Sequence, residues 1–399
     1  MPLLQNNKMI TREEALKLAI ESARQLDAER VGIDESLGRV LAEDIKSDID
    51  MPPFDKSAMD GYAVRREDLL KELRVIETIP AGYVPLEQIL PGTCAKIMTG
   101  AVVPKGADCV IMKEYVEQVG DQSIRFVGKD TAANISFKGE DIRAGQTVLR
   151  SGEWIKPQHI AILASVGAAN PLVSRRPRVG IIATGDELVE PNRKPEVSQI
   201  RNSNSYQLRA QVIAAGAIPH YYGIAADNER AIDSMLKRAI ADGDVVLVSG
   251  GVSVGDYDLV PGILKRNGVR LLFESIAIKP GKPTVFGVSD RAFFFGLPGN
   301  PVSTFVVFEL IVKPFLLKIM GHDFKPGNII LPLEEAIAKR HTEREAWFPV
   351  VLTGQGSVRP IEYHGSAHAG ALTQADGIVC VAAGVKRLEA GTKVHVRQI

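Results

Sequence analysis

Between Pro177 and Met320, short apolar runs alternate with helix-patterned segments, and this alternation restricts the fold more than any other feature of the chain. Residues 179–183 read as a buried strand that ends in Thr184-Gly185-Asp186-Glu187, and residues 205–215 read as a helix. A strand around 221–224 leads to Asp227. Ile232, Met235, Leu236, Ala239 and Ile240 then repeat at the spacing of one helical face. Residues 245–248 form another buried run, followed by the loop Ser249-Gly250-Gly251-Val252-Ser253-Val254-Gly255. A last strand at 293–296 precedes Leu297-Pro298-Gly299-Asn300-Pro301-Val302-Ser303 and a helix over 304–320. Continuously apolar strands alternating with helices predict a doubly wound α/β domain, its parallel sheet covered on both faces. Ligands of such sheets bind beyond the carboxyl ends of the strands, where these polar loops fall.

The flanks have a different texture. Thr11 with Glu14 is a capping box, and Leu16, Ala19, Ala23 and Leu26 extend a helix that ends before Gly32. From about 48 to 141, apolar runs such as 110–112 are punctuated by Pro52-Pro53, Pro91-Gly92 and Pro104, as in a loop-rich β domain. Pro157 opens a helix carrying Ile160, Ile162, Leu163 and Val166. Beyond Gly327, weak alternation over 347–352, a turn at 354–357 and clean alternation over 393–397 predict a small β-barrel or sandwich.

Composition removes some function classes. The 48 basic and 48 acidic residues balance, so no basic excess points to nucleic acid. No run of eighteen apolar residues offers a membrane span. Cys94, Cys109 and Cys380 are far apart without a CxxC pair, which predicts reduced thiols in a cytoplasmic protein. His364 and His368 have the spacing of a metal pair but no third ligand nearby.

The loops carry the chemistry. Gly250-Gly251 lets backbone amides approach an anion, and the loop matches neither nucleotide-binding glycine motif. Asp186, Glu187, Asp227, Asp256 and Asp258 recur after strands, and carboxylates gathered at one sheet edge call for a cation, with Mg2+ bridging them to phosphate as the expected occupant. Ile278-Lys279-Pro280-Gly281-Lys282-Pro283 holds two ammonium groups on a proline-stiffened turn suited to an oxyanion. In the loop Pro298-Gly299-Asn300-Pro301 the free amides, with the Ser303 hydroxyl, would point at an anion near the following helix start.

With these segments in view, the chain resembles the molybdopterin molybdenumtransferase family, the bacterial MoeA type that also forms the C-terminal domain of gephyrin. The likeness runs from about Thr11 to Val396. Its strongest segments outside the α/β region are Pro53-Phe54-Asp55-Lys56-Ser57-Ala58-Met59-Asp60-Gly61-Tyr62-Ala63, Ile97-Met98-Thr99-Gly100 and Gly139-Glu140-Asp141-Ile142. The resemblance implies a homodimer of four-part protomers: an elongated discontinuous domain at 7–48 and 144–177, a β-rich insertion at 49–143, the α/β pterin-binding domain at 178–326 and a C-terminal β-barrel at 327–399. It implies an active cleft between the α/β domain of one subunit and the insertion of the other. Adenylylated molybdopterin and molybdate would be the substrates and AMP a product. By the same resemblance Glu187, Asp227 and Asp258, with Asp256, would hold Mg2+, while Asp60, Thr99 and Asp141 would come from the second subunit. Gly250, Gly251, Ser253 and residues 298–301 would bind the pterin nucleotide. Lys279, Lys282 and Ser303 would hold molybdate, with Arg344 and Ser366 as further candidates. A molybdopterin adenylyltransferase and apo-molybdoenzymes are the implied protein partners. The chain departs from the family pattern at Ser136, Ser275 and Asp376. Competing readings are tungstate in place of molybdate, the preceding adenylyl transfer, and a gephyrin-like scaffold without catalysis.

Overall fold

A computed structural model describes residues 9–252, 259–363 and 365–399. Its central sheet has six strands in the order Ile218–Ala225, Arg178–Thr184, Val245–Ser249, Phe293–Leu297, Val285–Val288 and Arg270–Phe273. The first four run parallel. Successive residues of a strand face opposite sides, so Val245 and Leu247 enter one core while Val246 and Val248 enter another. Helix Asn204–Ala214 covers the first side through Leu208 and Val212. Helix Glu229–Asp242 covers the second through Ile232, Leu236 and Ala239. Both faces are therefore dry, which explains strands with no polar alternation.

The all-parallel expectation needs one correction. Val285–Val288 runs antiparallel to both of its neighbours. The four residues from Ser289 to Ala292 form a tight turn, with the Ser289 N–H donating to the Ala292 carbonyl at 3.0 Å. A parallel return needs a crossover of a dozen or more residues, and this connection is far too short. The helix expected over 304–320 also differs: it starts at Pro301 and widens into a π-helical turn at Phe308–Val312 before continuing as Lys313–Ile319. Pro314 has no N–H to give to the preceding turn, and the backbone ladder adjusts there.

Helix Arg12–Ser22 carries the expected capping box, with the Glu14 N–H on Thr11 Oγ1 at 3.1 Å and the Thr11 N–H on Glu14 Oε2 at 2.8 Å. It stops earlier than the apolar spacing predicts. Ala23 is extended, and the Leu26 N–H donates instead to the Ile319 carbonyl at 2.8 Å. Ala15 and Ala19 pack this helix onto the α/β core.

Two remote segments then interleave. Ala28–Arg30 pairs with Leu172–Ser174, and Ile45–Lys46 pairs with Thr147–Leu149. Leu41, Ile45, Ile142, Leu149, Leu163 and Val173 share one core between them. The chain between these segments builds a six-stranded, mostly antiparallel sheet from Cys109–Met112, Gly61–Val64, Thr93–Ile97, Glu72–Ile79, Ser123–Phe126 and Val116–Gly120. Burial pushes the Cys94 thiol up to about 12 and the Cys109 thiol up to about 11, so both are inert core side chains.

The C-terminal strands Glu345–Leu352, Gly377–Val381, Lys393–Gln398 and Asn328–Pro332 are neighbours in that order. A single bridge between Leu333 and Val358 brings the last of them round to Val358–Pro360, which pairs with the first. That bridge closes a small barrel around Leu333, Val350, Val358, Val379 and Val396. Ile278–Lys279, from the α/β region, adds to its edge as a parallel strand on Glu345 and Ala346.

Candidate functional site

A cavity of about 610 Å3 opens beyond the carboxyl ends of three parallel strands, where Thr184, Ser249 and the Pro298 loop converge. Gly250 and Gly251 form its floor. Gly250 has φ +95°, and a Cβ there would stand 2.6 Å from the Thr184 carbonyl oxygen, so only glycine lets the two loops meet. The Gly250 N–H donates to the Leu297 carbonyl at 3.0 Å, which ties this loop to the Pro298 loop. Of the sequence-assigned binding residues, Gly250, Gly251, Pro298, Gly299, Asn300 and Pro301 all line the cavity. Ser253, Asp256, Asp258 and His364 lie outside the described residues.

The acidic wall comes from two loops. Glu187 and Asp227 both line the cavity. Behind them the Asp227 N–H donates to Asp186 Oδ1 at 3.1 Å, and the Asp186 N–H reaches Asp227 Oδ2 at 3.4 Å. These reciprocal bonds fix the relative position of the loops after two adjacent strands. Among the described residues no group of three or more His, Cys, Asp or Glu side chains forms a metal cluster. Glu187 and Asp227 are the two described members of the expected Mg2+ set.

The basic side is built jointly with the C-terminal barrel. Lys279 and Lys282 are exposed, while Pro280 and Gly281 between them are buried. Pairing with Glu345 and Ala346 holds Lys279, and the Ile276 N–H on the Lys282 carbonyl at 3.0 Å closes the turn. Arg344 Nη1 donates to the Ile278 carbonyl at 3.3 Å. Neither lysine lines the cavity, but Pro283 of the same turn does. Ser366 stands against the Pro298 loop: its hydroxyl accepts from Asn300 Nδ2 at 2.8 Å and its carbonyl from the Val302 N–H at 3.1 Å. Ser303 is buried in the first turn of its helix and is not part of the cavity lining.

Asp60, Thr99 and Asp141 lie on the insertion, which contributes none of the residues lining this cavity. Asp60 Oδ1 accepts from the Thr99 N–H at 2.9 Å and from its hydroxyl at 2.8 Å. These bonds, with Lys113 3.4 Å from Oδ2, hold the Asp60 carboxyl below the usual aspartate range. Asp141 is exposed, its N–H donating to the Met51 carbonyl at 3.1 Å.

Sequence reasoning placed Thr184 in a strand-end motif without a role and passed over Asn202 and Asn204. The buried Asn204 amide donates to Ser249 Oγ at 2.9 Å and to the Gly299 carbonyl at 2.7 Å, stapling the two glycine loops together. Asn202 Nδ2 donates to the Tyr221 hydroxyl at 2.7 Å, and that hydroxyl donates to Glu190 Oε1 at 2.8 Å. Thr184 Oγ1 and Asn204 Oδ1 are buried without a hydrogen-bond partner among the described residues.

Comparison with known proteins decides the family. The profile "MoeA N-terminal region (domain I and II)" matches residues 10–167. "Probable molybdopterin binding domain" matches 180–318, and "MoeA C-terminal region (domain IV)" matches 331–399. A Staphylococcus epidermidis protein named molybdopterin molybdenumtransferase is 35% identical, over 97% of this chain and 95% of its own length. The chain belongs to the MoeA family. A Bacillus subtilis protein of the same name is 33% identical over 99% of this chain and 95% of its own. The crystal structure of a molybdopterin biosynthesis MoeA protein from Pyrococcus horikoshii matches with a TM-score of 0.86 at 34% identity, covering 98% of this chain and all of that one. Within the MoeA frame, the cavity described above lies at the carboxyl edge of the sheet in the molybdopterin-binding match, with Ala367 and Ala369 of the C-terminal match on its wall.

Proposed function

We propose that this chain is a molybdopterin molybdenumtransferase, inserting molybdate into adenylylated molybdopterin with release of AMP, in the last step of molybdenum cofactor biosynthesis. The observation that carries the reading is one cavity lined by amide-rich glycine loops on its floor and by Glu187 and Asp227 on its wall, in a chain matched by MoeA profiles through all its parts. The α/β cleft offers a phosphoanhydride its backbone amides, while the exposed Lys279 and Lys282 at the adjoining barrel edge offer a small dianion two cations. Arg344 steadies that turn from below, and Ser366 and the helix-start Ser303 flank the Pro298 loop.

Magnesium fits the donors present, since Glu187 and Asp227 supply the hard carboxylate oxygens it prefers and hydrogen-bonded loops hold them at one wall. Asp258 and Asp256 are the remaining proposed ligands. When bound, the ion would serve as a Lewis acid on the phosphoanhydride oxygens.

The assembly proposed is a homodimer, in which the insertion of a second copy brings Asp60, Thr99 and Asp141 to the cleft. The division proposed is 7–48 with 144–177, 49–143, 178–326 and 327–399: the insertion and the C-terminal barrel each have a core of their own, while Ala15, Ala19, Trp347 and Ile378 join the α/β core and Ile142 joins that of Leu41. Among the described residues no helix is long and apolar enough to cross a membrane, and the buried free thiols accord with a reducing cytoplasm. A molybdopterin adenylyltransferase would supply the substrate and apo-molybdoenzymes would receive the product. The test is to combine purified protein, adenylylated molybdopterin, Mg2+ and molybdate and follow AMP. Molybdate-dependent release is expected, and a tungstate arm reads metal choice. A folded protein that releases no AMP would refute the assignment.

A further inference from the structure

A second cavity, about 970 Å3, lies between the segment Arg150 to His159 and the α/β region, and the insertion chemistry makes no use of it. Arg150 and Lys156 face it from one segment and Lys325 from another; none makes a salt bridge among the described residues, although the Lys325 charge acts on Asp323. Two of its other charges are held in ion pairs, and among the described residues the Glu153 carboxylate is held by a backbone N–H alone. Lys313 pairs with Glu309 at 2.8 Å, Asp323 pairs with Lys318 at 2.6 Å, and Glu153 accepts the Arg150 N–H at 3.1 Å.

Trp154, His159, His322 and Phe324 bring rings to the wall, beside Ala214, Ala215 and Leu317. Trp154 is pinned on Gly216, where a Cβ would stand 2.6 Å from its Cη2. The His322 ring lies 6.2 Å from Trp154 and is oriented by Nδ1 on the Gly152 carbonyl at 2.8 Å. His159 Nδ1 takes the Lys156 N–H at 3.4 Å. Each imidazole thus keeps Nε2 for another partner. Unpaired cations beside half-buried aromatic rings, in a space of small-ligand size, recognise a planar ring that carries a phosphate.

We propose that this cavity binds a nucleoside monophosphate, the base against Trp154 and the phosphate among Arg150, Lys156 and Lys325. Because its walls come from two structural units, the ligand would also hold those units together.

The chain has two tryptophans, and the other, Trp347, is buried where the strand Glu345–Leu352 meets the α/β core, so Trp154 is a local reporter. Fluorescence of the purified full-length protein is titrated with AMP, adenosine and inorganic phosphate. A saturable change with AMP is expected, weaker with either half alone and absent from Trp154→Phe. Arg150→Glu and Lys156→Glu, both at exposed positions, should each weaken AMP binding by about tenfold or more, whereas Glu187→Ala should leave the Trp154 signal unchanged. Calorimetry on Ala214→Glu, which puts a negative charge on the cavity wall, supplies a second readout and should show the same loss. No Trp154-dependent change with AMP, or equal binding in the charge-reversed variants, would overturn the assignment.

Discussion

Replacing Gly250 by alanine probes whether the meeting of two glycine loops sets the geometry of the cleft. At φ +95° an L-residue is strained by roughly 1–2 kcal/mol. The new methyl would also sit 2.6 Å from the Thr184 carbonyl oxygen and 2.8 Å from its Oγ1. Backbone cannot rotate aside as a flexible side chain can, so the loop must move. Movement endangers the 3.0 Å bond from the Gly250 N–H to the Leu297 carbonyl, worth about 0.5–1.5 kcal/mol. The expected destabilisation is therefore roughly 1.5–3.5 kcal/mol, read by urea denaturation. Gly356→Ala is the matched control: its φ is +73° and open space surrounds the Cβ position, so it should show the strain alone. Displacement of the amides by about an ångström would lower AMP release by on the order of 100-fold in Gly250→Ala, with Gly356→Ala unchanged. Equal activity and equal stability in the two variants would refute the reasoning.

Three further outcomes are expected. Thr99→Val should raise the Asp60 carboxyl toward the ordinary aspartate value, visible in a carbon-13 titration; an unmoved titration would remove Thr99 from that role. Asp244 is depressed: burial pushes its carboxyl up, but the two-pronged Arg175 contact at 2.7 and 2.8 Å and the Arg178 N–H at 2.8 Å more than offset it. Its stabilisation is then full above the unfolded aspartate pKa and lost as pH falls through the folded value, so Asp244→Asn should cost about 2–4 kcal/mol near neutrality and show less acid dependence, by denaturation at several pH values. Finally, Asp60→Ala and Glu187→Ala should each abolish AMP release as pure dimers. Mixed and allowed to exchange subunits, they should recover about a quarter of wild-type sites if the cleft spans two copies, and none if each copy acts alone.

The α/β unit was legible because its signals are local. Strands such as Val245–Ser249 are continuously apolar, and glycine, proline or acidic residues mark the loops that follow. The capping box at Thr11 was legible for the same reason. What was hidden depends on contacts distant in sequence. Nothing near Lys279 announces that it will pair with Ala346 of the barrel, and nothing near Asn204 announces that its amide will join Ser249 to Gly299. The early end of the first helix reflects docking of Leu26 onto Ile319, again a tertiary effect. Ser303 had the right sequence for an anion-facing hydroxyl, yet it is buried in the first turn of its own helix. The antiparallel Val285–Val288 was readable in principle, since its four-residue link to Phe293 excludes a crossover.

The central claim is that the glycine-floored, carboxylate-walled cavity, together with the lysine turn beside it, carries out molybdate insertion. Its most direct test is AMP release from adenylylated molybdopterin, with and without molybdate, coupled to reconstitution of an apo-molybdoenzyme. The account predicts release that requires molybdate and Mg2+, yields active enzyme, and falls sharply in Lys279→Ala/Lys282→Ala. Release independent of molybdate, or full activity after removal of both lysines, would contradict it.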